Sequence, residues 1–339
     1  MSDTLNPAPA TKTAQATGQA RRGGLRDVLG LLGFYGLIFG FFAVTSPFFL
    51  SPQNLINLLV AASTLGIVAV FTTMLMIGGG LDLSVGSALA LSGVVIAVTM
   101  NAIGIWPAAL LGLAAGTLVG VLNGVLVTQV GINAVITTLG TLYVARGLAF
   151  VFADGLAKPV YDEQFAWLGS GVILGMPVPV VVALLLFAVG FVIINFSTYG
   201  RAIFMVGGNA DASYLAALPV KRYRLIAYTL SGFSAGLAGV ILTARLYAAA
   251  PQAATGLEFS VIAAVVLGGT SLAGGKGTLL GTAIGVLILG TLNNGMTLLS
   301  LSSDYQQIVQ GLVLALAVAI DQFRLGAVDI AVFRKLRKA

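Results

Sequence analysis

Hydrophobic positions in this chain fall in long uninterrupted blocks, without the strict alternation of a half-buried strand. The windows Val28 to Ser46 and Val180 to Ile194 contain no charged residue, and a helix needs about 20 apolar residues to cross a bilayer core. Such segments recur near residues 28–46, 54–77, 83–100, 106–128, 133–152 and 177–196, and again near 225–246, 258–273, 278–299 and 305–320. The pattern predicts an all-α, polytopic membrane protein of about ten transmembrane helices, six before the polar stretch 197–224 and four after it. Segment 258–273 is short and interrupted by glycine. A re-entrant path there would move the basic C-terminal tail to the other side of the membrane, so it is read as a crossing.

Charge gives the orientation. Thirteen of the 17 basic residues lie in three places: Lys12, Arg21, Arg22 and Arg26; Arg201, Lys221, Arg222 and Arg224; and Arg324, Arg334, Lys335, Arg337 and Lys338. An even number of crossings between clusters puts all three on one side, which the positive-inside rule assigns to the cytoplasm. Residues 1–27 then form a disordered cytoplasmic tail, 28–320 a transmembrane domain with a cytoplasmic loop at 197–224, and 321–339 a basic cytoplasmic tail. The longest outer loop, 153–176, carries Asp154, Asp162 and Glu163 against Lys158. The net charge of +6 is thereby explained by topology, with no nucleic-acid partner required.

Composition narrows the chemistry. The chain is 58% hydrophobic and 8% charged, with neither cysteine nor histidine, so disulfides, thiol nucleophiles, imidazole bases and most transition-metal sites are excluded. Catalysis by this chain loses its usual groups.

The stretch GGTSLAGGKGT, Gly268 to Thr278, looks like a phosphate loop. That motif requires Gly, four residues, Gly-Lys and then Ser or Thr. With Gly275 and Lys276 as the pair, Thr270 stands at the first glycine and Gly277 at the hydroxyl, so both ends fail. The loop reads instead as a tight connection between helices. Gly277, Gly281 and Gly285, like Gly112, Gly116, Gly120 and Gly124, repeat every four residues and predict close helix packing.

The loop is also the start of a resemblance. AAVVLGGTSLAGGKGTLLGTAIG is similar to the late segment of the permease subunits of ribose-type ABC importers, a family that also serves xylose, arabinose and galactosides. Four further stretches resemble the family in its own order: GGGLDLSVGS (78–87), LNGVLVTQVGINAVITTLGTLYVARGLAFV (122–151), YGRAIFMVGGNADASYLAALPVKRYRLIAYTLSG (199–232) and TLNNGMTLLS (291–300). Three departures stand out: Asn133 where proline is common, Ser260 where aspartate often follows the glutamate, and Ala216-Ala217-Leu218 where Ser-Gly-Ile is usual.

The resemblance implies a type II ABC importer-like permease in a bacterial inner membrane, with both termini cytoplasmic. It also implies a second permease copy, two cytoplasmic ATPase subunits or one fused ATPase, and an extracytoplasmic solute-binding protein. ATP and magnesium would be held on the partner ATPase, with no cofactor in this chain.

The polar residues acquire candidate roles in that frame. Asn209 is placed to cap a short helix over 210–218 that Pro219 stops; with Arg201, Ala212, Ala216, Lys221 and Arg222 it resembles the helix that couples such permeases to the ATPase, the alternative being a surface helix held by lipid headgroups. Asp82 and Ser84, after three glycines, either cap the next helix or line a solute path where the backbone is irregular. Asn123, Thr138, Arg146, Asn293 and Asn294 either pair between helices or face the path, and Arg146, toward the outer side, is placed to snorkel. Glu258 is either a first-turn partner of the helix dipole or a contact for the binding protein.

A path of hydroxyls and amides suits a neutral sugar or polyol. The nearest rival is a branched-chain amino-acid ABC permease. A secondary transporter driven by ions would normally place titratable groups near mid-membrane, whereas Asp82, Glu258 and Asp304 all fall near predicted span ends.

Overall fold

The computed structural model describes residues 13–324. The chain is a bundle of helices: α1 (Thr13–Thr45), α2 (Pro52–Ile77), α3 (Val85–Ile103), α4 (Ile105–Val125), α5 (Ala134–Phe152), α6 (Glu163–Ser170), α7 (Val178–Phe196), α8 (Thr198–Gly208), α9 (Ala210–Leu215), α10 (Val220–Leu246), α11 (Leu257–Leu267), α12 (Leu279–Leu298) and α13 (Ser303–Arg324). Among the described residues eight helices are long and apolar enough to cross a membrane. The fold is a polytopic all-α membrane protein. Large apolar side chains such as Leu37, Val44, Leu110, Ile136 and Leu185 are exposed around it, as a lipid-facing surface requires.

All ten expected segments are helical, with three differences. First, α1 begins at Thr13, so residues 13–27 of the expected disordered tail continue the helix, with alanine, glutamine and arginine favouring it and Gly18, Gly23 and Gly24 opposing it; residues 1–12 lie outside the described residues, as do 325–339 of the expected basic tail. Second, α11 has only 11 residues, about 16 Å at 1.5 Å per residue, and ends at Leu267 where residue 273 was expected. Gly268 and Gly269 close it, the latter at φ 90°. With α13, α11 is one of the two expected spans that fall outside the eight membrane-length helices. Third, the stretch 197–224 contains α8, whose first amide turn is capped when Gly200 donates to Ser197 Oγ at 3.0 Å.

The core packs α10 against α2, α3 and α4. The glycine ladder on α4 makes this possible. A methyl at Gly116 would meet the backbone of Gly236 and Gly232, and one at Gly120 would meet Tyr228 and Gly232. Gly281 and Gly285 likewise lie against the carbonyls of Gly268 and Ala264, bringing α12 onto α11. Polar groups add specific links: Ser92 Oγ donates to Gly236 O at 2.9 Å, and the hydroxyls of Thr73 and Thr282 are 2.9 Å apart.

One end of the bundle gathers the end of α2, α8, α9 and the loop 268–278. The other gathers α6 and two short antiparallel pairings, Lys158–Pro159 with Ala248–Ala249 and Val172–Ile173 with Met176–Pro177.

Candidate functional site

After α2 the chain does not simply turn over. Gly78, Gly79 and Gly80 let it fold back into the bundle, with Gly79 at φ 75°. Arg224 Nε holds this turn by donating to Gly78 O at 3.0 Å, and the Tyr228 hydroxyl donates to Leu81 O at 3.2 Å. The next residue, Asp82, is 1% exposed.

Asp82 is the centre of a polar cluster. Its Oδ1 accepts from the Ser84 amide at 2.9 Å, the Ser84 hydroxyl at 2.6 Å and Asn123 Nδ2 at 3.3 Å, and its Oδ2 accepts from the Ser231 hydroxyl at 3.1 Å. Asn123 Nδ2 also donates to Ser84 Oγ at 2.8 Å, and Asn123 Oδ1 accepts from the Thr141 hydroxyl at 2.6 Å. Four elements meet here: the break before α3, α4, α5 and α10. No basic side chain forms an ion pair with Asp82 among the described residues, so its charge is balanced by oriented dipoles.

Depth follows from the partner positions. Ser231 is 11 residues into α10, about 17 Å along its axis, close to the middle of that 27-residue helix. The expectation that Asp82 sits near a span end is corrected: the glycine turn carries it inward. Nor does it cap α3. Ser84 occupies the cap position without a side-chain bond to the helix amides, because both side chains are committed to the cluster.

A second break comes from the other end of the bundle. Arg146 does not snorkel; its Nη1 donates to Pro251 O and Ala253 O, both at 2.7 Å. The irregular loop leaves carbonyls without helical partners, and the guanidinium supplies donors to them. Glu258, two residues into α11, is 6% exposed, and its Oε2 has no hydrogen-bond partner. That burial sets it inside the bundle, in the first turn of α11, where a carboxylate faces the positive end of the helix dipole. A methyl at Gly86 would strike Glu258 Oε2 and Ala254 O, so the two broken segments abut through a glycine.

The remaining polar candidates lie elsewhere. Thr138 Oγ1 donates to Ala134 O at 2.8 Å within its own helix. Asn294 and Asn54 exchange amide bonds at 2.8 and 3.0 Å, tying α12 to the start of α2, while Asn293 Oδ1 accepts from Gln310 Nε2 at 2.9 Å. The two asparagines pair between helices, whereas Thr138 bonds only within α5. Asn133, one of the family departures, caps α5 by accepting from the Val135 and Ile136 amides at 2.9 and 3.4 Å.

At the end bearing the basic residues, Asn209 Oδ1 accepts from the Ala212 amide at 2.9 Å and starts α9. That helix stops at Leu215, short of the expected Leu218, because Ala217 adopts φ 61°; Pro219 then caps α10. Arg201, Ala212, Ala216, Lys221 and Arg222 are exposed, as are Tyr214 and Leu215, the latter by 85%. Beneath them Tyr199 is half-buried beside Tyr223; loss of solvent and then the neighbouring phenol push its pKa above the ordinary value, and it donates to Tyr223 O at 3.2 Å.

The glycine-rich loop joins this surface to the first break. Gly275 N donates to Ile77 O at 2.8 Å, a methyl at Gly275 would meet the backbone of Gly208, and one at Gly274 would meet Gly207 O and Gly79. Asp321 holds the loop from α13, accepting from the Leu272 amide at 3.2 Å. Three backbones without side chains therefore touch directly above the turn that carries Asp82.

Membrane-length helices, with α3 and α11 entered through irregular chain, place the protein among polytopic membrane proteins in which broken helices surround polar groups, as transporters do. The chain belongs to the family whose model is described as the branched-chain amino acid transport system permease component, matched over residues 54–318. Among curated proteins it is 40% identical over 321 residues to the ribose import permease protein RbsC of Bacillus subtilis, covering 92% of this chain and 98% of that one. It is 38% identical over 338 residues to the L-arabinose ABC transporter permease protein AraH of Azospirillum brasilense, covering 96% and 97%. To RbsC of Escherichia coli K12 it is 43% identical over 286 residues, covering 81% and 88%. No solved structure gives a significant match.

Proposed function

We propose that this chain is the membrane subunit of an ATP-driven, binding-protein-dependent ABC importer for a monosaccharide or related polyol. The observation that carries the reading is similarity over almost the whole length to permeases named for ribose and L-arabinose. The Asp82 cluster is chemically compatible with it, since its hydroxyls, amide and one carboxylate, bonded to one another in this conformation, include no cation.

The coupling route follows the contacts. A partner ATPase grips α9 through Ala212, Tyr214, Leu215 and Ala216, with Arg201, Lys221 and Arg222 around the rim. Movement of α8 passes through Gly207 and Gly208 to Gly274 and Gly275 and on to Gly79, because close-packed backbones transmit displacement with little slack. The turn 78–84 then shifts Asp82 relative to Asn123 and Ser231. In this reading ATP and magnesium sit on the ATPase, two permease copies form the path, a solute-binding protein delivers from outside, and both termini face the cytoplasm of a bacterial inner membrane.

The family description favours one alternative solute, a branched-chain amino acid. Proteoliposomes containing the permease, its ATPase and its binding protein, given ribose, L-arabinose, xylose, galactose or leucine one at a time, separate the two. Uptake of one sugar is expected; uptake of leucine alone would overturn the solute class.

A further inference from the structure

We infer that Asp321, in the last turn of α13, is a positioning residue for coupling: it anchors the glycine-rich loop so that movement of α8 is delivered to the turn before Asp82. The inference rests on the coupling route proposed above and adds to it a fixed point outside the moving elements.

On local grounds the placement of Asp321 is costly. It stands three residues before the end of α13 at Arg324, where the partial negative charge of a helix terminus opposes a carboxylate, and it is 9% exposed. A buried carboxylate needs donors, and the glycine-rich loop supplies them. The Leu272 amide donates to Asp321 Oδ2 at 3.2 Å, and the Ser271 hydroxyl reaches the same oxygen at 3.5 Å. Ser271 Oγ in turn accepts from the Ala273 amide at 3.2 Å. Among the described residues, Asp321 is the one side chain from another helix that bonds this loop.

The loop is closed on itself. Ser271 N donates to Lys276 O at 3.0 Å, and Gly274 N to Ser271 O at 3.1 Å, so residues 271–276 move as one piece. Residues 271 and 272 hang on α13, whereas Gly274 and Gly275 meet the backbones of Gly207, Gly208 and Gly79, and Gly275 N bonds Ile77 O. A displacement of α8 reaches Gly79 through this loop only if the loop does not slide between them. Asp321 ties it to α13, which packs on α11 and belongs to neither α8 nor the 78–80 turn.

The test is the amount of solute moved per ATP hydrolysed by the reconstituted transporter, using whichever of ribose, L-arabinose, xylose, galactose or leucine the parent protein takes up. A misfolded fraction lowers uptake and hydrolysis together and leaves that ratio unchanged, so the ratio separates positioning from folding. Asp321→Ala is expected to lower it about tenfold, the scale of one hydrogen bond to a charged group; Asp321→Asn, which keeps an acceptor for the Leu272 amide, should lower it less. A parental ratio in Asp321→Ala would overturn the inference. Should that variant fail to assemble, hydrogen exchange of Asp321→Asn in detergent decides. The amides of Gly275 and Gly80, bonded to Ile77 O and Leu75 O, are expected to exchange faster together; no change at Gly80 would overturn the inference. ATP-independent uptake by the parent protein would instead remove the coupling route itself, before any Asp321 variant is compared.

Discussion

Asn123 stands between Asp82 and Thr141, donating to the carboxylate at 3.3 Å and accepting from the hydroxyl at 2.6 Å. One amide thereby fixes the broken segment before α3 to both α4 and α5. Its orientation is set by those neighbours, since only the oxygen can accept from Thr141 and only the nitrogen can donate to Asp82.

Asp82→Ala would leave the Ser84 amide, the Asn123 nitrogen and the Ser231 hydroxyl facing a void. Hydrogen bonds to a charged group contribute about 1.5–3 kcal/mol each, and buried unpaired donors carry their full desolvation cost. A stability loss of about 3 kcal/mol is expected by denaturant titration in detergent. Asp82→Asn retains an acceptor for Ser84 and should lose less. Equal stability of Asp82→Ala and the parent protein would remove the cluster's structural role.

The glycine ladder makes a position-specific prediction. Gly116→Ala drives a methyl into the Gly236 backbone, which cannot yield as a side chain would, so a loss of about 1–3 kcal/mol is expected. Gly140→Ala, in α5 with open space beside it, should be neutral or gain about 0.5–1 kcal/mol from helix propensity. Thermal unfolding of the two variants side by side checks the contrast.

Ala217 occupies the left-handed region, φ 61°, at the turn between α9 and α10, a conformation that glycine adopts without steric cost. An L-residue there costs about 1–2 kcal/mol. Ala217→Gly should therefore raise the unfolding midpoint. A drop in the midpoint would mean that the turn is relaxed with alanine present.

Arg146→Gln removes the guanidinium that bonds Pro251 and Ala253 carbonyls. Hydrogen exchange at amides of 250–257 should accelerate while α2 and α12 stay protected. Uniform exchange across the chain would show that the loop is held by other contacts, such as the pairing of Lys158–Pro159 with Ala248–Ala249.

The exposed helix α9 offers a test of coupling that spares the fold. Ala212 and Ala216 are both exposed, so their joint replacement by tryptophan is expected to abolish stimulation of the partner ATPase by loaded binding protein while leaving the unfolding midpoint of the permease unchanged. Normal stimulation would count against the grip on α9.

Much of this architecture was legible because lipid imposes a simple rule: an apolar block of about 20 residues can only be a helix. The ten segments, the ladders and the Asn209 cap all follow from spacing. Asp82 was misplaced because hydropathy locates a residue along the chain, whereas three glycines let the backbone carry it back into the bundle. Arg146 was read as snorkelling because its acceptors, 105 and 107 residues away, are backbone carbonyls with no side-chain signature. Ser231 and Tyr228 were overlooked for the same reason: nothing local to α10 marks them as partners of residues 81 and 82.

The central claim is that solute moves only when a partner hydrolyses ATP. It is tested most directly by uptake of labelled sugar into proteoliposomes, with ATP, the ATPase and the binding protein withdrawn one at a time. Uptake that stops on each withdrawal and ignores proton and sodium gradients is predicted. Uptake by the permease alone, driven by an ion gradient, would contradict the account and turn attention to Asp82 and Glu258 as ion-coupling groups.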